Sequence, residues 1–166
     1  MAEFINTADI IGDDAMCDQI IMRTVTEYKE NRITKVGGRA FQRCTALTTV
    51  DVPNATSIGT YAFEGCSALT VVNIPNVTSI DTYAFQLCTA LKALAIGNSS
   101  ICQLINSNAL SGSSIAKGTG YIYVPSALLA DYQAATNWST YSAQFRALEG
   151  YTIDGTITGA FDESKI

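Results

Sequence analysis

The 166-residue sequence has no histidine. Without imidazole there is no Ser-His-Asp or Cys-His pair to activate a nucleophile, and no nitrogen ligand for a transition metal. Charge is also scarce. Asp, Glu, Lys and Arg make up 15% of the chain, so Ser, Thr and Asn must supply most of the groups that meet water. The net charge of −5 argues against nucleic acid as a partner. No apolar run approaches the ~18 residues a membrane helix needs, so no membrane insertion is expected. The first residues, Met1-Ala-Glu-Phe-Ile-Asn-Thr-Ala-Asp9, lack the basic and apolar regions of a signal peptide. The reading is a protein made in the cytoplasm. Five cysteines occur with no C-x-x-C pair, which fits neither a zinc site nor a disulfide scaffold.

Several patterns imitate chemistry. Ser114-Ile-Ala-Lys117 matches the S-x-x-K of serine acyl enzymes but lies in a Gly/Ser-rich turn with no partner motif. Asp13, Asp14 and Asp18 lack the glycine and bidentate acid of a calcium loop, and capping of a helix accounts for them better. Asn54, Asn76, Asn98 and Asn137 head formal glycosylation sequons, three of them at turns. Arg23, Lys29, Arg32, Lys35, Arg39 and Arg43 are interleaved with Glu27 and Glu30, which reads as a solvated end rather than an anion site. No cofactor and no metal are expected, and the chain is read as non-enzymatic.

What is present is a repeat. Phe41, Phe63 and Phe85 are spaced by 22 residues, as are Cys44, Cys66, Cys88 and Leu47, Leu69, Leu91. A fixed period of this size marks a solenoid whose coils bury their apolar faces against one another. Each unit carries L-x-x-V-x-V (Leu47, Val50, Val52; Leu69, Val72, Ile74; Leu91, Leu94, Ile96), which predicts a short strand with one buried face. Pro53-Asn54, Pro75-Asn76 and Gly97-Asn98 end that strand. Val36, Ile58 and Ile80 point inward on the far side, and Ala-Phe-x-x-Cys-x-x-Leu returns the chain as a tight helical turn. The phenylalanines should form one file, with the three repeat cysteines beside it as a reduced, buried ladder.

The fold expected is an α/β repeat solenoid: a right-handed leucine-rich-repeat coil with short parallel strands, 22-residue units and helical caps at both ends. Residues 1–22 are assigned to an N-terminal segment and capping helix. The solenoid spans 23–125, with clear units over 34–99 and degenerate ones over 23–33 and 100–125. A C-terminal helical cap occupies 126–150, with Pro125-Ser126 opening one helix and Asn137 capping a second that carries Trp138, Tyr141 and Phe145. Residues 151–166 read as a tail or a hairpin around Asp154-Gly155.

Repeat proteins commonly bind through the outer strand face. Here that face is read as Thr48, Thr49, Asp51, Thr70, Val71, Asn73, Lys92, Ala93, Ala95, Tyr121 and Tyr123, the tyrosines being the first anchor candidates. Tyr61 and Tyr83 make a second exposed column.

The units, with I-G-x-Y-A-F-x-x-C-x-x-L-x-x-V-x-I-P-N-V-T-S, closely resemble leucine-rich repeats of the BspA type, also called Treponema pallidum-type repeats. The stretch Tyr121-Ile-Tyr-Val-Pro through Asn137-Trp-Ser139 resembles the end of many such proteins from gut bacteria. The opening Asn6-Thr-Ala-Asp-Ile-Ile-Gly-Asp-Asp14 and the ending Asp154-Gly-Thr-Ile-Thr-Gly159 look like versions carried by phages and prophages of gut Firmicutes. The resemblance implies an adhesion or interaction protein that binds a protein or a cell-surface glycan. The absence of an export signal favours a virion-borne, phage tail-associated role over cell-surface display. The alternatives are a virion spacer or assembly protein, contacting other virion proteins or its own copies, and a bacterial BspA-like surface protein.

Overall fold

The structure is a computed structural model that describes residues 32–148 and the backbone of two strands upstream of them, β1 (Ile10–Ile11) and β2 (Glu27–Lys29). The helix expected before Met22 and the hairpin at Asp154-Gly155 lie outside the described residues. The chain winds as a solenoid of parallel strands. One file of strands consists of β2, β4 (Thr49–Asp51), β6 (Val71–Asn73), β8 (Ala93–Ala95), β10 (Tyr121–Pro125) and β11 (Phe145–Leu148), in that spatial order. The register advances by one repeat per coil, so Tyr28, Val50, Val72, Leu94 and Ile122 lie opposite one another.

A second sheet runs along another side, through β1, β3 (Lys35–Val36), β5 (Ser57–Ile58), β7 (Ser79–Ile80) and β9 (Gln103–Leu104). The sequence reading sent the chain across this side without a strand. Two residues are too few to show alternation, yet Val36, Ile58, Ile80 and Leu104 are buried in register while their neighbours face out. Ile10–Ile11, read from sequence as part of the N-terminal segment, pairs with β3 and is the end strand of this sheet.

The return turns form a third ladder. The N–H groups of Phe41 and Phe63 donate to the carbonyls of Ala62 and Ala84 at 2.7 and 2.8 Å, and those of Arg43 and Gly65 to Glu64 and Gln86 at 2.6 and 2.8 Å. Turning every second N–H toward the next coil requires left-handed backbone. Equivalent positions Arg39, Tyr61 and Tyr83 have φ of 55°, 57° and 59°, and Arg43, Gly65 and Leu87 have 60°, 71° and 58°. A side chain in that region costs about 1–2 kcal/mol. The inter-coil hydrogen bonds offset it. At Gly59 the constraint is space: a Cβ there would sit 2.6 Å from the Gly38 nitrogen of the preceding coil.

The core is a set of files running through the coils. Phe41 stacks on Phe63 with centroids 5.1 Å apart and 6° between planes, and Phe63 on Phe85 at 5.3 Å and 3°. Register dictates this spacing, since coils advance by about one strand separation, ~4.8 Å. Cys44, Cys66 and Cys88 are free and buried. The thiols of Cys66 and Cys88 donate to the carbonyls of Phe41 and Phe63 at 3.0 and 3.1 Å, which anchors each coil to the one before it. Polar ladders follow the same logic. The hydroxyls of Thr56 and Thr78 reach the carbonyls of Thr34 and Thr56, and the Asn76 amide reaches Pro53.

The C-terminal end is closed by side chains. Over the last strand of the second sheet lie a short helix α1 (Leu129–Ala134) and a 3-10 segment, Trp138–Gln144, whose side chains take its backbone groups. The Tyr132 hydroxyl accepts from the Cys102 N–H at 2.7 Å, and the Trp138 indole donates to the Cys102 carbonyl at 2.6 Å. Asn137 Nδ2 donates to the carbonyls of Leu104 and Ile105 at 2.8 and 3.1 Å, and the Tyr141 hydroxyl donates to Ser107.

Two expectations change here. Asn137 does not cap the following segment; its φ is 64° and its amide is spent on the solenoid edge. Phe145 is not helical either. It opens β11, where pairing with Ile122 extends the sheet by one strand and buries its ring against Tyr132 and Trp138. Among the described residues no helix is long and apolar enough to cross a membrane.

Candidate functional site

The outer face of the β2–β11 sheet is built by the residues that alternate with the buried file. Two rows cross it. Thr49, Val71, Ala93 and Tyr121 stand opposite one another in the first, and Asp51, Asn73, Ala95, Tyr123 and Arg146 in the second. The structure therefore brings most of the sequence-predicted residues into two files on one surface. Thr48, Thr70 and Lys92 precede the strands and serve the bend. The Thr48 carbonyl accepts both the N–H and the hydroxyl of Thr70, at 2.8 and 3.0 Å, so the Thr70 hydroxyl is committed to the scaffold. Lys92 is exposed, and its backbone links Thr70 to Tyr121.

Three positions read as outward contact surface are closed. Val71 is 8% exposed, and Ala93 and Ala95 are fully buried. Their register explains it: each short side chain stands one strand spacing from larger ones, Ala93 between Val71 and Tyr121, Ala95 between Asn73 and Tyr123. The middle of the face is a flat floor, and the larger polar and aromatic side chains stand at its two ends.

At one end Asn73 Nδ2 donates to Asp51 Oδ1 at 3.0 Å. Asn73 Oδ1 is buried and has no hydrogen-bond partner among the described residues, an arrangement that costs about 1–3 kcal/mol. At the other end the Arg146 guanidinium lies over the Tyr121 ring, 4.2 Å from its centroid. Burial pushes the Tyr123 phenol upward, partly countered by the Arg146 charge, so it remains a protonated donor across the physiological range. Arg146 escaped the sequence reading because Phe145-Arg-Ala-Leu148 was placed in the C-terminal cap, with Phe145 on a helix. The polar residue directly after an inward aromatic was the available signal.

The second tyrosine column forms, but half-buried rather than exposed. Tyr61 and Tyr83 stack with centroids 4.9 Å apart and planes 16° apart, and Arg39 lies 5.5 Å from the Tyr61 ring. Rings stacked face to face along the solenoid offer mainly edges to a ligand. The Ser114 hydroxyl, flagged by the S-x-x-K pattern, donates to the Thr89 carbonyl and acts as a turn fastener.

A stack of parallel-stranded coils with an inward leucine, phenylalanine and cysteine file defines a leucine-rich-repeat protein. The family profile described as "BspA type Leucine rich repeat region" matches in six copies over residues 8–126, and the chain belongs to that family. Among solved structures, a leucine rich cell surface protein from Faecalibacterium prausnitzii A2-165 is similar, with a TM-score of 0.60 and 21% identity over 84% of this chain. The match covers 34% of that protein, so the present chain spans about a third of its relative. No curated protein matches the chain.

Proposed function

We propose that the chain is a non-enzymatic adhesion module that presents the outer face of the β2–β11 sheet to a protein or glycan on a cell, and that it is carried on a phage or prophage tail. The observation that carries the binding role is the two-ended face: a flat floor with the hydrogen-bonded Asn73–Asp51 pair at one end and a tyrosine–arginine cluster at the other. Tyrosine and arginine are the side chains most often found to dominate binding energy at protein interfaces. Membership in the BspA-type family supports an interaction role. The tail assignment rests on the opening and closing segments noted in the sequence. The similar Faecalibacterium protein is named a cell surface protein, which favours display on a bacterial surface as the second reading.

The binding role is tested with the labelled 166-residue chain on cells of gut Firmicutes. Replacing Tyr121 and Tyr123 together by alanine should weaken binding about tenfold or more, the loss of one dominant contact. Unchanged binding by that variant removes this face from the function. The tail assignment is tested by tracing the polypeptide in purified particles, and its absence from particles that recognise the host defeats it.

A further inference from the structure

We propose that the corner formed by Tyr121, Tyr123 and Arg146 is a carboxylate site, anchoring an acidic side chain of a protein partner laid across the outer face. The proposal rests on the binding role argued above and adds the chemistry of the group that is bound.

Arg146 stands on the end strand of the sheet, opposite Tyr123. Its guanidinium is held three ways: by the Tyr121 ring at 4.2 Å, and by Nη1 donating to the carbonyls of Ala143 and Phe145 at 2.9 and 2.7 Å. These contacts fix the plane of the group and occupy one of its nitrogens. Among the described residues Nε and Nη2 have no hydrogen-bond partner, and no carboxylate pairs with the guanidinium. Arg43 shows the contrast, since the carboxylate of Glu64 lies 3.7 Å from its Nε. A guanidinium already ordered, with its second edge open, is a fork matched to a carboxylate. Ordering it in advance removes side-chain entropy that binding would otherwise cost.

The rest of the row selects the source of that carboxylate. From Arg146 it runs over Tyr123 and the buried Ala95 to Asn73 and Asp51, ending on acceptors. The ligand must therefore carry acid at one end and donors at the other, about four strand spacings or ~19 Å away. An extended peptide of about six residues spans that distance. A sugar of this kind would need an open aromatic face, and the Tyr121 ring has Arg146 upon it, with the fully buried Ala93 as its neighbour in the row. The geometry favours protein.

The test follows the Arg146 Nε–H signal by NMR in the 166-residue chain, titrated with an acetylated, amidated oligoglutamate peptide. The glutamine analogue and glucuronate are run beside it. A saturable shift with the glutamate peptide alone is expected; in the variants, which have no Nε–H, binding is read from the backbone amide of Tyr123 opposite position 146, and there it is abolished in Arg146→Gln and weakened about tenfold or more in Arg146→Lys, which keeps the charge but loses the fork. No saturable shift overturns the proposal. So does an equal shift with glucuronate, which assigns the site to an acidic glycan, or a shift seen only after Glu149→Gln, which means the guanidinium was already paired. Cell binding separates this failure from that of the face itself. If Arg146→Gln binds like the parent while the double tyrosine variant does not, the face stands and the carboxylate site falls.

Discussion

Phe63 stands between two other rings, with Phe41 on one side and Phe85 on the other, and is fully buried. Removing it breaks the file in the middle and leaves a cavity that rigid neighbouring coils cannot fill. Phe63→Ala should cost about 3–5 kcal/mol, read as a lowered midpoint in urea unfolding. A loss below about 1 kcal/mol would mean the coils are not packed in register. Some residue-scale features were legible in the sequence and others were not. The phenylalanine, cysteine and leucine files followed from spacing alone, because a buried position in one coil is buried in all. The left-handed residues Arg39, Tyr61 and Tyr83 did not, since tyrosine and arginine give no hint of positive φ. Gly65 and Gly112, which stand in neighbouring coils where Arg43 and Leu87 stand in theirs, were the local traces of that backbone requirement.

At the scale of elements, the C-terminal helices act through a few side chains rather than through an apolar face alone. Asn137 closes two carbonyls beside the last strand of the second sheet. Asn137→Ala should leave Leu104 O without its partner and cost about 1–3 kcal/mol. The loss should appear first as faster amide exchange around Gln103–Leu104, with the central coils unchanged. Uniform acceleration along the chain would show instead that the cap folds as one unit with every coil. This element was half legible. Its aromatic residues announced a cap, but the switch of Phe145–Leu148 from helix to strand is decided by an unpaired sheet edge that a local pattern does not contain.

For the whole molecule, the buried acids link stability to pH. Burial pushes the thiols of Cys88 and Cys102 from 9.0 up to about 12, and it raises the Tyr132 and Tyr141 phenols as well. These groups keep their protons in the folded chain while the unfolded chain gives them up near the ordinary value. The folded state then binds more protons than the unfolded, so stability is fully present below pH 9.0 and is lost as pH climbs toward about 12. The urea midpoint should be independent of these groups near neutrality and fall steadily above pH 9.0. A midpoint unchanged at about pH 11 would show that the thiols are not enclosed as the structure has them. The solenoid and its principal strand face were legible at this scale from periodicity, and the family from the resemblance of the repeat motif. The second sheet was not, because strands of two residues carry too little pattern.

Because every coil presents the same upper and lower surface, the chain behaves as a ruler with equal divisions. A duplicate of residues 54–75 would slot in as one more division of 22 residues, displacing Arg146 from Asp51 by a further ~4.8 Å while both ends kept their own neighbours. The length of the face is thus set by the number of turns, and a lineage can lengthen or shorten it by gaining or losing whole divisions.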